Sequence, residues 1–404
     1  MADVFYHTSE SVTEGNPDKL CDSISDHVVD ACLREDYTSH VACESACQNN
    51  WVYVFGEIKT KAKLDFKQIV KDVYKEAGYD DAEHGADYRT VDVQVKVGQQ
   101  SNQIDDAVSN IAEEDTGAGD QGMMLGFACN ESEEMIPLTV LYSHRLAEEL
   151  TRARKSGDIP WLRPDGKTQV TFAYSVVGRI PVPQYVKQIS IRTSHAPGVS
   201  NEEIKSVILE KIIKKIVPSK YLKEGITQYR INEAGDNTIG GPKASPGLTG
   251  RKIIIDTYGG WCGHGGGAFS GKDWTKVDRS GAYMARWIAK SVVAQGLAQR
   301  VLVQLSYVIG VSQPTSFFID DFDTGIYSKS DLERIVRGNF DMRPGVIVTQ
   351  LDLKRPRFAK TAAYGHFGRN DPDFTWETPK PLDLKFAKNG KKKTNGKKED
   401  ESGK

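Results

Sequence analysis

Nowhere in the 404 residues does an apolar run approach the roughly 20 residues that a membrane-spanning helix needs. The opening MADVFYHTSESV has no basic stretch ahead of an apolar one, so no secretory leader is expected and the expected compartment is the cytosol. Cysteine is sparse. The six that occur (Cys21, Cys32, Cys43, Cys47, Cys129 and Cys262) form no CxxC pair, which argues against a zinc knuckle or a disulfide framework and predicts reduced thiols, mostly in the core. An excess of charge of either sign is also missing. Lys and Arg number 53 against 55 Asp and Glu, for a net charge of −2, so nucleic acid in bulk is not an expected partner. No internal repeat is visible.

What remains is an ordinary globular composition, 39% hydrophobic and 27% charged. At one domain per roughly 100–200 residues, the length suggests two to four domains. Pro17 to Leu33 predicts a helix, because proline suits the first helical position and Leu20, Ile24, Val28 and Ala31 recur at three- and four-residue spacing. Trp51 to Thr60 has strand composition, and Leu64, Ile69, Val70, Val73 and Ala77 give a following helix one apolar face. Further strands are predicted at Thr168–Tyr174, Tyr185–Arg192, Lys252–Asp256 and Val301–Val308, and helices at Glu202–Ile216, Asp278–Gln295 and Ser330–Gly338. That mixture reads as α+β layers. The lysine-rich end, with almost no apolar side chains from Ala387 on, is expected to be disordered.

The densest chemical signal is HGGGAFSGKDWTKVDRS, His264 to Ser280. Glycines let backbone N–H groups approach phosphate oxygens, Lys272 and Lys276 supply point charges, and Asp273 or Asp278 can hold magnesium. Gly266, Gly271 and Lys272 match G-x-x-x-x-G-K, but Asp273 follows where a P-loop requires Ser or Thr, which argues against that class. A second loop, Gly117 to Gly122, places Asp120 where it can accept from a ribose hydroxyl; a plain glycine turn between elements reads the same. A third segment, Glu14 to Lys19, combines a helix start, a carboxylate and an ammonium, and is equally an ordinary N-cap.

Together these segments resemble the S-adenosylmethionine synthetases, whose motifs GHPDK, GAGDQG, RPD-x-K-x-QV, GLTGRKII-DTYGG and HGGGAFSGKD-x-x-KVDRS read here as Gly15–Lys19 with one change, Gly117–Gly122, Arg163–Val170, Gly247–Gly260 and His264–Ser280. The likeness runs from about Thr8 to Pro379, and TAAYGHFGRNDPDFTWE is similar to the eukaryotic, plant-like branch. The resemblance implies three similar α+β domains with approximate threefold symmetry, each a small sheet packed with helices, at 3–103, 115–237 and 239–379, followed by a disordered tail at 385–404. It implies that methionine sulfur attacks C5′ of ATP and that the expelled triphosphate is hydrolysed to pyrophosphate and phosphate. On the same grounds Lys19, Arg251, Lys252 and Lys272 contact phosphates, and Asp120, Asp165, Gly166, Lys167 and Ala268 lie on the nucleotide side. Glu57, Gln100 and Lys276 match methionine-binding positions; Asp18, Asp278 and Glu10 match magnesium positions and Glu44 a potassium position. Two Mg²⁺ per site, one K⁺ per subunit, and a homodimer or dimer of dimers with shared sites follow from the family.

The chain departs from the family pattern at five places. Asn16 stands where GHPDK has histidine, beside the oxygen that leaves C5′, so it enters the catalytic set with Lys19, Arg251 and Lys272. Gln103 replaces an aspartate of a loop over the site, Asp236 an arginine, Asn237 the phenylalanine that stacks on adenine, and Ser245 the aspartate that holds the methionine amino group. Two functions are therefore expected in competition: an impaired or altered synthetase, and a catalytically poor homologue acting as the binding or regulatory subunit of a mixed oligomer.

Overall fold

The computed structural model describes residues 4–99 and 113–388; Gln100, Gln103 and the lysine-rich end from 389 lie outside the described residues. In chain order come β1 (Val4–Val12), α1 (Pro17–Glu35), β2 (His40–Gln48), β3 (Trp51–Lys59), α2 (Phe66–Ala77) and β4 (Asp92–Gly98). Then follow β5 (Gly122–Cys129), α3 (Leu138–Lys155), the long hairpin of β6 (Leu162–Val177) and β7 (Ile180–His195), α4 (Asn201–Ile208) and β8 (Gln228–Ile231). The last group is α5 (Val277–Ala294), β9 (Arg300–Tyr307), β10 (Ser316–Asp320), α6 (Lys329–Asn339) and α7 (Pro344–Gln350).

The mixed α+β class is as expected. Three small sheets carry the fold, ordered β1-β6-β7-β8, then the short strand Gly247–Leu248 with β2-β3-β4, and β10-β9-β5. Each sheet borrows its edge strand from a neighbouring stretch of sequence. β1 leaves the N-terminal stretch for the central hairpin, β5 leaves the central stretch for the last sheet, and Gly247–Leu248 returns to the first. This cyclic exchange ties the three units together and draws the segments between exchanged strands toward one region. α1 packs its Leu20, Ile24 and Val28 on β2, α3 covers β6 and β1, and α5 covers β5 and β9.

α5 lies so close to β5 that a Cβ added to Gly126 would sit 2.0 Å from the Ala285 carbonyl carbon. Gly126→Ala is therefore expected to lower unfolding free energy by about 1–3 kcal/mol through overpacking, read as a lower urea midpoint. An unchanged midpoint would show that the strand can back off the helix freely.

Two expectations need correction. Lys252–Asp256 is not a strand: Asp256 N–H donates to Lys252 O at 2.8 Å, and Ile253–Asp256 is a single helical turn. The isoleucine run has strand propensity, but among the described residues no strand pairs with it, and Ile254 is exposed while only Ile255 enters the core. Residues 385–388, expected to be disordered, are ordered: Leu384–Phe386 forms a 3₁₀ turn, the Phe386 ring covers Gly338, and Lys388 N–H donates to Asp331 at 2.8 Å.

Candidate active site

α1 organises the first half of the site. Asn16 caps it, its Oδ1 accepting from Asp18 N–H at 3.2 Å, and Pro17 takes the first helical position. Asp18 then accepts from Leu248 N–H at 3.0 Å and pairs with Lys252, with Arg251 4.0 Å away. One turn on, Asp22 accepts from Gly250 N–H at 2.8 Å. The helix thus grips residues 248–252 through successive carboxylates and holds Arg251 and Lys252 over Asp18.

Lys19 is placed differently from a surface phosphate ligand. Its ammonium is fully buried between Asp22, at 2.9 Å, and Asp256. Burial works against its charge, but the two carboxylates outweigh burial and hold the lysine well above its ordinary range. One ammonium cannot neutralise two carboxylates. Burial, with the nearby Asp22, accordingly pushes Asp256 up to about 7 despite Lys19.

The second half surrounds the glycine-rich loop. Lys272 Nζ lies 2.5 Å from Asp278, and a Cβ on Gly267 would strike the Asp278 carboxylate, so glycine there is a condition of the approach. Lys272 bridges to Ala42 of β2, two residues before Glu44. Burial pushes the Glu44 carboxyl up to about 7, with Lys272 opposing the shift. Glu57 of β3 lies opposite Ala42 in register and opposite Gly98 of β4, on the same stretch of sheet. Gly119 N–H donates to Thr275 O at 3.1 Å, which brings the half-buried Asp120 beside this loop. Lys276 is buried and paired with Asp273 at 2.6 Å. Ala268 stands against Gly250, joining the loop to the first half.

The segment Asp165 to Lys167 forms a third group. Asp165 accepts from Gly241 N–H at 3.0 Å and from the Asn16 amide, and burial raises its carboxyl against those bonds. Gly166 O accepts from Thr13 N–H at 2.9 Å. Lys167 pairs with Glu10 across β6 and β1 at 2.7 Å. Among the described residues, no ion pair links these two to Asp18 or Asp278. Of the departures, Asp236 and Ser245 are exposed, whereas Asn237 is 8% exposed and built into hydrogen bonds.

Motif reading passed over Asp22, Asp26, Asp256 and Arg279. Asp26 accepts from Gly271 N–H at 2.9 Å and from the buried Arg279 guanidinium at 2.7 and 2.9 Å, so it fixes the end of the glycine-rich loop. A signal was present: Asp18, Asp22, Asp26 and Asp30 recur every four residues of a helix buried over most of its length, one stripe of carboxylates where burial demands partners.

Among the described residues no three carboxylate, imidazole or thiol groups converge as a metal cage. Single carboxylates beside lysines do fit Mg²⁺, which is commonly held by one or two carboxylates plus substrate phosphates. The α+β fold thus sets Arg251 and Lys252 beside Asp18, and Lys272 beside Asp278. Family models for S-adenosylmethionine synthetase match the chain in order: the N-terminal domain at residues 4–102, the central domain at 115–237 and the C-terminal domain at 239–378. The chain belongs to the S-adenosylmethionine synthetase family of transferases.

Proposed function

We propose that this chain forms S-adenosylmethionine from ATP and L-methionine and hydrolyses the displaced tripolyphosphate to pyrophosphate and phosphate. The observation that carries the reading is a pair of matched ion pairs, Asp18–Lys252 and Lys272–Asp278, at the two halves of one site. Each can exchange partners, the lysine turning to a phosphate and the aspartate to a divalent cation. Thioether sulfur needs no base, so the protein's work is to orient the reactants and to stabilise charge on the leaving polyphosphate. Arg251, Lys252 and Lys272 supply that charge, with Lys19 behind them; Asp18 and Asp278, with Glu10, would hold Mg²⁺, and Glu44 would hold K⁺. When bound, these cations neutralise polyphosphate charge. Glu57, Gln100 and Lys276 are assigned to methionine, and Asp120, Asp165 to Lys167 and Ala268 to the nucleotide. We assign the protein to the plant-like branch and to the cytoplasm; among the described residues no helix is long and apolar enough to cross a membrane. The half-buried stack of Trp51, Tyr53 and Phe55 on the β3 face turned from α1 supports a homodimer or dimer of dimers.

The second reading, a binding or regulatory subunit of a mixed oligomer, is favoured by Asn16 and Asn237. Both side chains are engaged within the chain, with Asp165 and Arg192. A single-turnover assay with ATP, methionine, Mg²⁺ and K⁺ decides between the two. Product is expected, lost by more than about 10²-fold on chelation of Mg²⁺ and reduced roughly tenfold when Na⁺ replaces K⁺. No S-adenosylmethionine in the complete mixture would sink the synthetase reading, and full activity in Na⁺ alone would remove the potassium assignment.

A further inference from the structure

Arg192 sits at an exposed position of β7, directly opposite Lys167 of β6 in the strand register, with Thr193 opposite Gly166. Its Nη2 donates to Asn237 Oδ1 at 3.0 Å, the one side-chain hydrogen bond it makes among the described residues. Asn237 is itself rigidly held. Its C=O accepts from His195 N–H at 3.1 Å, and its N–H donates to His195 Nε2 at 3.0 Å. His195 Nδ1 faces Ala196 O at 2.9 Å, which assigns the proton to Nδ1 and leaves Nε2 free to accept. The chain His195, Asn237, Arg192 therefore fixes one edge of an exposed guanidinium, and among the described residues no other side-chain hydrogen bond engages its remaining donors. A cavity of about 270 Å³ opens beside it, lined among others by Lys167, Gln169, Ser190 and Arg230. The Arg192 charge also reaches the buried Asp165 carboxyl, which it helps to hold ionised.

A guanidinium is planar, delocalised and weakly hydrated, and nucleobases stack on it as they do on aromatic rings. We propose that Arg192, oriented by Asn237, is the platform for the purine of ATP in this chain, and so a specificity-determining residue. It replaces a stacking ring at residue 237 with a stacking cation hydrogen-bonded to that residue. The inference rests on the synthetase reading for its choice of ATP.

The test is equilibrium binding of ATP in Mg²⁺ with methionine withheld, so that no turnover is required, on the intact protein. Arg192→Ala is expected to weaken ATP about 5- to 10-fold, while its affinity for inorganic tripolyphosphate stays as in the wild type. Arg192→Lys, which keeps charge but loses the plane, recovers little of the loss. Asn237→Ala, which keeps the arginine but frees it, weakens ATP about 2- to 5-fold. Thermal melts of each variant confirm an intact fold. An unchanged ATP affinity in Arg192→Ala, an equal loss for tripolyphosphate, full recovery with lysine, or no ATP binding by the wild type would each overturn the proposal. The expected pattern in a protein that forms no S-adenosylmethionine would overturn the synthetase reading and leave the purine platform standing.

Discussion

Replacing Lys272 by alanine is expected to slow phosphate release from tripolyphosphate by about 10²–10³-fold, the cost of losing one preorganised charge partner at a site where charge develops. The lysine is preset from several sides. Gly271 N–H is held by Asp26, Lys272 O accepts from Arg279 at 3.0 Å, and the strand bridge to Ala42 fixes the main chain. Little reorganisation therefore remains to be made when a polyphosphate arrives, which is the condition under which a single charge is worth most. The alanine variant also leaves Asp278 without its 2.5 Å counter-ion, adding repulsion toward the same ligand. Because the Lys272 side chain is about one-fifth exposed and its neighbours are held by other bonds, stability should change little. Arginine at 272 should recover part of the rate. Phosphate release at the wild-type rate in Lys272→Ala, with melts superimposed, would take Lys272 out of the site.

Local signals could be read wherever period and cap agreed. Proline at position 17 with apolar residues at three- and four-residue spacing located α1, and the strands and helices around Trp51, Thr168, Tyr185, Asp278 and Val301 lie within a few residues of the predicted ranges, apart from the hairpin strands, which run longer. The isoleucine run after Lys252 misled because propensity is a local quantity while strand pairing is not. The strand exchange was invisible for the same reason, since nothing in VFYHTSESV says that it pairs with residues more than 150 positions away. For the site, motifs pointed to Asp18, Lys252, Lys272 and Asp278, and the fold pairs them. Motifs could not say that Lys19 faces inward to Asp22 and Asp256, or that Arg192 lies opposite Lys167; both depend on which side of a helix or sheet meets a distant segment.

Lys19 carries the largest expected effect on stability. In Lys19→Met two buried carboxylates, Asp22 and Asp256, lose the ammonium they share, and removing one member of a buried charge set costs about 3–5 kcal/mol. The pH dependence has a definite sign. In the wild type, burial lifts Asp256 from its ordinary range to about 7, and Asp22 is raised as well. A carboxyl raised by folding favours the folded state fully below its unfolded value of roughly 4, and that contribution is lost as pH rises toward 7. Lys19, held above its ordinary range, stabilises the fold at every pH below about 10 and so contributes a constant term between pH 5 and 8. Without it both carboxyls rise further, and the variant pays the full cost only where they must ionise. Urea unfolding is therefore expected to show a deficit of about 3–5 kcal/mol at pH 8 that shrinks by more than half at pH 5. Asp256→Asn should behave oppositely, because it removes the carboxyl that resists ionisation and leaves Lys19 paired with Asp22, so its stability should stay within about 1 kcal/mol of wild type at pH 8. A Lys19→Met deficit that is equal at both pH values, or larger in acid, would mean that the lysine serves by packing its stem and not by balancing the two carboxylates.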